Sequence, residues 1–245
     1  MIPKVIYYAW FGKKELPSKV KENIATWKKS NPTYRIKRID ETNFDINLFS
    51  FTKKAYEMGK WAFVSDVARL YVIFNNGGFY FDTDVQLRKS LDGLRNYKSI
   101  WGMENSNAIN SGLIIGAEKG DKNIDNILSI YKKREFNNNN SDITVSIITN
   151  YFIKKGFRFK NKVQELDDGT VIFPTEYFAP LHWWGGGRIT DKTIAIHNYS
   201  ATWIKKDRRG FMTKIRGYID MELLLIAPSL YFKLQRIKHK YLKIK

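Results

Sequence analysis

The sequence has no cysteine and only three histidines among its 245 residues. Without cysteine, a disulfide framework, a thiolate zinc site and a cysteine nucleophile are all excluded. Any bound metal must therefore be held by oxygen or imidazole ligands. A metal-dependent phosphohydrolase normally uses more carboxylate or histidine ligands than three histidines and one Asp-x-Asp triplet offer.

The chain also lacks a long hydrophobic run. A membrane-spanning helix needs about 20 apolar residues, whereas the best runs here cover only residues 5–11 and 223–227. The first run resembles the core of a signal peptide in length, but only Lys4 precedes it as a charge and no small-residue cleavage site follows it. We therefore expect residues 5–11 to form a buried first strand and the protein to be cytoplasmic.

Apolar and basic side chains are abundant. The chain is 43% hydrophobic and 15% aromatic, which is too rich in core-forming residues for a disordered protein and sufficient for one large domain. Forty-two lysines and arginines against twenty-four acidic residues give a net charge of +18. This excess predicts an anionic partner, and charge alone leaves nucleic acid, anionic lipid and a phosphorylated substrate open.

Strand and helix patterns alternate along the first ninety residues. Apolar runs rich in β-branched and aromatic residues predict strands, and apolar residues at helical spacing predict helices. The predicted order is strand 2–11, helix 17–30, strand 34–39, helix 61–74 and strand 79–87, and later strand 113–116 and helices 124–131 and 143–154. This alternation predicts an α/β fold, with a mixed, mainly parallel sheet and helices on both faces. No linker divides the chain, so we expect one domain over residues 1–220 and a tail at 221–245.

The triplet Asp82-Thr83-Asp84 is the sharpest chemical signal, at the end of the strand predicted for residues 79–87. Side chains alternate along a strand, so the two carboxylates would project to one side about 6.6 Å apart. The carboxyl ends of parallel strands are where open α/β sheets bind ligands. Two carboxylates there can hold a hard cation that bridges a diphosphate, although a solvated strand end gives the same triplet.

Three segments resemble the Asp-x-Asp-containing sugar-binding-region glycosyltransferases, in particular the family 32 type of bacterial capsular polysaccharide synthesis. They are residues 1–12 (MIPKVIYYAWFG), 65–69 (SDVAR) and 76–84 (NGGFYFDTD). That family is related to the catalytic domains of large glucosylating toxins. The resemblance implies a GT-A, Rossmann-like fold, a nucleotide-diphosphate-sugar donor such as a UDP-hexose, Mn²⁺ or Mg²⁺ as cofactor, and transfer with retention.

The resemblance also implies roles for residues in the first half of the chain. Asp66 and Arg69 match a pair that contacts the donor, and their i,i+3 spacing puts both on one helix face. Trp10 matches a position that stacks on the nucleotide base, and Tyr80 would pack beside the ribose or sugar. Asn110, in an Asn-Ser-Gly segment, matches an amide near the reacting sugar. The alternatives are a surface ion pair for Asp66 and Arg69, a core aromatic residue for Trp10 and an ordinary turn for Asn110.

A second group of candidates lies in residues 197–205, where the resemblance returns. His197 would be a third metal ligand beside Asp82 and Asp84, with a hydrogen-bonded structural histidine as the alternative. Ser200 and Trp203 would contact the diphosphate, and Lys205 would neutralise phosphate charge.

The C-terminal residues are strongly basic. Residues 201–245 contain twelve lysines or arginines against three acidic residues. Lysines flank an apolar stripe at helical spacing, formed by Leu230, Leu234, Ile237, Tyr241 and Ile244. Such a basic amphipathic helix is typical of binding to an anionic membrane surface, and a helix packed on the domain is the alternative. The first interpretation predicts a peripheral protein on the inner face of the cell membrane.

Together these features predict a retaining, metal-dependent glycosyltransferase that acts on a glycan or lipid-linked acceptor in surface polysaccharide synthesis. A basic nucleic-acid-binding protein and a metal-dependent phosphohydrolase are the alternatives. The basic residues cluster in a tail, and two adjacent carboxylates repel phosphates unless a metal is bound. We therefore expect no nucleic-acid partner.

Overall fold

The computed structural model describes residues 1–138, 143–182, 184–199 and 211–242, and in the last range the side chains of residues 217–235. The elements in chain order are β1 (Val5–Ala9), α1 (Ser18–Ser30), β2 (Arg35–Ile39), α2 (Ser50–Glu57), α3 (Trp61–Asn76), β3 (Gly78–Tyr80), β4 (Val85–Leu87), β5 (Ser99–Asn105), β6 (Ala108–Ile109), β7 (Ile115–Ala117), α4 (Lys122–Lys132), α5 (Thr144–Lys154), β8 (Gln164–Glu165), β9 (Thr170–Phe173), α6 (Thr175–Phe178), β10 (Ala195–His197), α7 (Phe211–Ile226) and α8 (Pro228–Leu242).

The central sheet has the strand order β2-β1-β3-β7-β5-β9-β8, and β6 pairs with β5. β1 is parallel to β2 and β3, and β5 is parallel to β9. β7 is antiparallel to both β3 and β5, and β8 is antiparallel to β9. Along this path β7 and β8 therefore run against the other strands, and the predicted mainly parallel α/β sheet is confirmed.

Helices cover both faces of this sheet, because alternate side chains of its strands enter two separate cores. In β1, Tyr7 packs in the core that contains Val67 of α3, whereas Ile6 packs in the core that contains Trp27 of α1. The indole N–H of Trp27 donates to the carbonyl oxygen of Val85 at 2.8 Å. Both faces of the strand are buried, which is why its sequence is apolar throughout.

The single strand predicted over residues 79–87 is wrong. β3 ends at Tyr80, and β4 belongs to a separate two-stranded antiparallel sheet with β10. Between them the N–H of Val85 donates to the carbonyl oxygen of Asp82 at 3.1 Å, which closes a turn. Aspartate favours turns over strands because its short side chain competes for backbone hydrogen bonds. Asp82 and Asp84 therefore converge in a turn instead of alternating along a strand.

The C-terminal helices make specific contacts with the rest of the chain. The indole N–H of Trp184 donates to Glu222 of α7 at 2.9 Å, and the ring of Phe232 in α8 lies 5.2 Å from that of Phe159. α7 continues through the expected domain boundary at 220/221, and that boundary stays a prediction. In the stripe predicted from the sequence, Leu230 and Leu234 are exposed, and the other members lie outside the described side chains. Within the described ranges, every helix is too short or too polar to cross a bilayer.

Candidate functional site

The candidate site lies at the carboxyl edge of the central sheet. β1 and β3 are parallel neighbours, with Tyr7 opposite Tyr80. Trp10 therefore follows β1 at the same edge at which Asp82 follows β3. This is the edge at which the sequence predicted ligand binding.

Asp82, Asp84 and His197 converge at this edge. Each offers one ligand atom, and these atoms all lie within 4.8 Å of one another. His197 reaches the turn because β10 pairs antiparallel with β4, which places His197 opposite Val85. Its Nε2 lies 3.1 Å from Oδ1 of Asp84. Among the described residues this is the one group of three or more acidic or histidine side chains that are close enough to share a metal ion.

The chemistry of these three side chains fits a divalent cation. Two carboxylates and one imidazole form a ligand set of the kind that manganese accepts. His197 is buried, and Nδ1 of its ring has no hydrogen-bond partner among the described residues. Burial alone would lower the pKa of His197, but the hydrogen bond to Asp84 and the charges of Asp84, Asp82 and Glu104 raise it above its usual value. Negative potential therefore dominates the cluster and favours a bound cation.

Arg69 links helix α3 to the Asp82 carboxylate. One terminal nitrogen of its guanidinium lies 2.6 Å from Oδ1 of Asp66, and the other lies 3.4 Å from Oδ1 of Asp82. The second nitrogen also donates to the hydroxyl of Ser111 at 3.3 Å. Tyr80 lies beneath the guanidinium, 4.8 Å from ring centroid to Cζ, and donates its own hydroxyl proton to Oδ1 of Asp82 at 2.8 Å. The Arg69 side chain is 5% exposed, so the pair is not a surface ion pair.

Burial and charge act in opposite directions within this network. Burial raises the pKa of Asp66, while the charge of Arg69 lowers it in part. Burial alone would lower the pKa of Arg69, but the carboxylates of Asp82 and Asp66 outweigh that effect and raise it. Arg69 is therefore a permanent positive charge between two carboxylates, and it holds the Asp82 side chain in one position.

The Asn-Ser-Gly segment contacts the same carboxylate from the other side. Asn110 accepts from the N–H of Gly112 at 2.7 Å, and its amide group donates to Glu104 at 3.3 Å. The N–H of Asp82 donates to the carbonyl oxygen of Gly112 at 2.9 Å. A Cβ atom at Gly112 would overlap Oδ2 of Asp82 and would lie 2.8 Å from its Cγ. The turn is therefore part of the site, and glycine is needed there because the carboxylate fills the space of a side chain.

Sequence reasoning missed four residues of this site. Ser111 and Gly112 adjoin Asn110 in the segment that was singled out, so a closer reading of that motif would have included them. Glu104 lies at the end of β5, a strand that the sequence did not predict, and burial raises the pKa of its carboxyl. The ring of Tyr199 packs edge-on against His197 at 4.3 Å, and its hydroxyl is buried without a hydrogen-bond partner among the described residues.

The predicted nucleotide and phosphate contacts are only partly described. Trp10 is half-buried against one of the two cores, and its indole N–H donates to the carbonyl oxygen of Lys14 at 2.8 Å. Its ring is thus held in place at the sheet edge, and its role in base stacking stays a prediction. Ser200, Trp203 and Lys205 lie outside the described residues.

A sequence comparison gives a family for this region. Residues 17–105 match the model of the glycosyltransferase sugar-binding region containing the DXD motif. The match covers a little over a third of the chain and includes Asp66, Arg69, Asp82 and Asp84. The prediction that this chain is a glycosyltransferase is confirmed at this level.

Solved structures of glycosyltransferases are similar at low identity. The PaToxG glycosyltransferase is 20% identical over 63% of this chain and 69% of its own, with a TM-score of 0.48. A glycosyltransferase involved in the glycosylation of the major capsid of PBCV-1 is 9% identical over 80% and 93%, with a TM-score of 0.48. An active-site mutant of LgtC is 12% identical over 87% and 95%, with a TM-score of 0.37. No curated protein sequence matches the chain. The roles of individual residues therefore rest on the contacts within this chain.

Proposed function

We propose that this protein is a metal-dependent, retaining hexosyltransferase of the family 32 type, with a UDP-hexose as donor and a glycan or lipid-linked acceptor of a bacterial surface polysaccharide. The observation that carries the metal dependence is the convergence of Asp82, Asp84 and His197 within 4.8 Å at the ligand-binding edge of the sheet. The match to a sugar-binding region that contains a DXD motif supports the donor class.

In this proposal the three converging side chains hold Mn²⁺ or Mg²⁺. A cation bound there would neutralise the charge that develops on the diphosphate leaving group. The role of the surrounding side chains is to hold the metal-binding carboxylates in position before the donor binds. Arg69 and the Tyr80 hydroxyl both contact Oδ1 of Asp82, at 3.4 Å and 2.8 Å. Such preorganisation lowers the barrier because the groups need not reorganise during the reaction.

Asp66, Arg69 and Asn110 are proposed to face the donor sugar. Arg69 contacts the Asp82 carboxylate and pairs with Asp66, and Asn110 accepts from Gly112, which packs against that carboxylate. In transfer with retention, the acceptor oxygen bonds to the anomeric carbon as the bond from that carbon to the diphosphate breaks. The proton of the acceptor hydroxyl passes to the departing phosphate oxygen. This route requires no covalent nucleophile from the protein.

A donor screen tests the proposal. Many glycosyltransferases slowly hydrolyse their donor when no acceptor is present, so the purified protein should release UDP from one UDP-hexose in the presence of Mn²⁺. Proton NMR of the released sugar, recorded before mutarotation, should show the anomer of the donor. Release of the opposite anomer would contradict retention, and no hydrolysis of any nucleotide sugar, with or without a glycan acceptor, would contradict the proposed activity.

Replacing Trp10 by alanine should weaken nucleotide binding more than it slows the chemical step. Stacking on a base contributes about 1–3 kcal/mol, so the Kd for UDP measured by calorimetry should rise about tenfold. Stacking is equally strong in the ground and transition states, so kcat should change little. Trp10→Phe retains an aromatic ring, so its affinity for UDP should lie between those of the alanine variant and the wild type. Equal UDP affinity of the alanine variant and the wild type would show that Trp10 serves the core alone.

We also propose that the basic tail binds the anionic inner face of the cell membrane. Removing residues 236–245 deletes five basic residues but keeps Phe232, which contacts Phe159. Basic residues near an anionic surface contribute about 1 kcal/mol each, and salt screens this term. The truncated protein should lose cosedimentation with anionic vesicles and keep donor hydrolysis. Equal vesicle binding by both proteins, or none by either, would contradict membrane attachment through this tail.

A further inference from the structure

A large cleft lies between the α7–α8 junction and residues of the segments 159–162, 175–182 and 187–190. Its volume is about 990 Å³, and none of the side chains of the Asp82–Asp84–His197 site lines it. Pockets of about 300–1,000 Å³ hold one small molecule or one part of a larger ligand. The cleft is therefore a second place where a ligand can bind.

One side of the cleft is cationic. Lys160, Lys162 and Arg188 line it, and none of them forms an ion pair with a described residue. Glu176 is the acidic residue among the lining side chains. Its carboxylate accepts from Thr190 at 2.7 Å, lies 3.4 Å from Lys192 and has its pKa lowered in part by the charge of Arg188, so the lining holds three cations against one carboxylate. The cleft thus presents positive charge in excess, which favours an anion.

Another part of the cleft lining is apolar. Leu225, Ile226 and Leu230 line it where α7 ends and Pro228 starts α8, and Phe159 lines it beside Lys160. Ile226 is 78% exposed and Leu230 is 49% exposed, so these side chains lack a covering partner among the described residues. Exposed apolar side chains that border a cavity and a polar rim mark a binding surface. A ligand that satisfies both the cationic and the apolar lining must combine an anionic group with a hydrocarbon chain.

His182 supplies a polar group at the same cleft. Its ring stacks on Trp184 with centroids 4.4 Å apart, and its Nδ1 is buried without a hydrogen-bond partner among the described residues. Burial lowers the pKa of His182 below its usual value. A neutral imidazole has one donor and one acceptor, so His182 could bind a phosphate or hydroxyl group without carrying a permanent charge.

The cleft is connected directly to the metal-ligand cluster. Thr193 donates to the carbonyl oxygen of Glu176 at 2.9 Å, and the N–H of Ile194 donates to the carbonyl oxygen of Tyr177 at 2.9 Å. From Thr193 the chain continues through β10 to His197, which is four residues, or about 13 Å along a strand. The segment that is hydrogen-bonded to the cleft wall at Glu176 therefore continues directly into the strand that carries His197.

We propose that this cleft binds the lipid-phosphate end of the acceptor, with the phosphate against Lys160, Lys162 and Arg188 and the hydrocarbon chain along the α7–α8 junction. This inference rests on the proposed function, because it identifies the acceptor class of that transferase as an isoprenoid or acyl phosphate that carries a sugar. A bulk phospholipid surface would contact the exposed helices but has no need of a concave cleft.

Binding of farnesyl phosphate to the intact protein tests this inference without a donor. Calorimetry below the critical micelle concentration should show tighter binding of farnesyl phosphate than of either farnesol or inorganic phosphate. Alanine at Lys160, Lys162 and Arg188 together should weaken that binding about tenfold or more, because charged hydrogen bonds to the phosphate are lost. Ile226→Asn should also weaken it, and since Ile226 is 78% exposed this change leaves the folded core intact.

A variant with alanine at Lys53, Lys54 and Lys133 is the matched control, because it removes the same charge from exposed positions elsewhere. It should bind farnesyl phosphate as the wild type does. Unchanged affinity after the cleft substitutions, equal affinity for farnesol and farnesyl phosphate, or binding to anionic vesicles alone would each overturn the inference. Metal-dependent donor hydrolysis by the same proteins separates this inference from the proposed function. Hydrolysis without farnesyl phosphate binding refutes lipid-phosphate binding in the cleft, and farnesyl phosphate binding without hydrolysis of any donor refutes the proposed function.

Discussion

Replacing Asp84 by asparagine should lower donor turnover about a thousandfold, and Asp82→Asn should do the same. Metal ions contribute several kcal/mol of charge stabilisation in such reactions, and each 1.36 kcal/mol is a factor of ten in rate. An amide keeps the shape of the side chain but lacks the charge that holds the cation. Both residues lie within 4.8 Å of His197 through their ligand atoms, so loss of either charge leaves an incomplete site. Steady-state release of UDP from the donor gives the rates.

Asp167→Asn is the control for these two variants, because Asp167 is exposed and lies outside the candidate site. Its turnover should equal that of the wild type. Thermal unfolding should show that all three variants remain folded. Full turnover by Asp84→Asn in a folded protein would mean that the Asp-x-Asp pair does not bind the catalytic cation.

Gly112→Ala should lower turnover about a hundredfold although no charged group is changed. The added Cβ would overlap Oδ2 of Asp82, and the carboxylate must then turn away from Arg69 and Tyr80, which fix its other oxygen. A displacement of about 1 Å in a catalytic group can cost a hundredfold in rate. The Kd for Mn²⁺ in the presence of UDP, measured by calorimetry, should rise in parallel.

Gly93→Ala is the matched control, since a Cβ at Gly93 meets no atom within 4 Å. It should leave both turnover and Mn²⁺ binding unchanged. The unfolding temperature of Gly112→Ala should stay near that of the wild type, because the displaced atoms lie at the end of the partly exposed Asp82 side chain. Wild-type turnover by Gly112→Ala would contradict the close packing of this turn against Asp82.

The α/β fold was predictable because β1 and α3 carry strong local signals. β1 is apolar at every position, and α3 ends at Asn76, which two glycines follow. β5 was not predicted, although it lies in the middle of the sheet. Its central residue, Gly102, has no side chain to contribute to an apolar pattern, and a Cβ there would come within 3.2–3.3 Å of Ile114 and Leu113. Tertiary packing selects glycine at this position, and a pattern of hydrophobic residues cannot detect that.

The candidate site was predictable where its residues lie near each other in the chain. The spacing of Asp66 and Arg69 placed them on one helix face, and the structure brings them to 2.6 Å. No local sequence pattern encodes the pairing of β10 with β4. The approach of His197 to Asp84 therefore followed only from the resemblance to a family. Glu104 was missed because its position depends on pairing between β5, β7 and β9, which are distant in sequence.

The most direct test of the account is donor hydrolysis by the wild-type protein after its metal has been removed with EDTA. The proposed site predicts that hydrolysis of the UDP-hexose stops without metal and returns when Mn²⁺ is added in excess. Asp84→Asn should remain inactive under both conditions, whereas Asp167→Asn should follow the wild type. Undiminished hydrolysis in excess EDTA would contradict the claim that Asp82, Asp84 and His197 hold a catalytic cation.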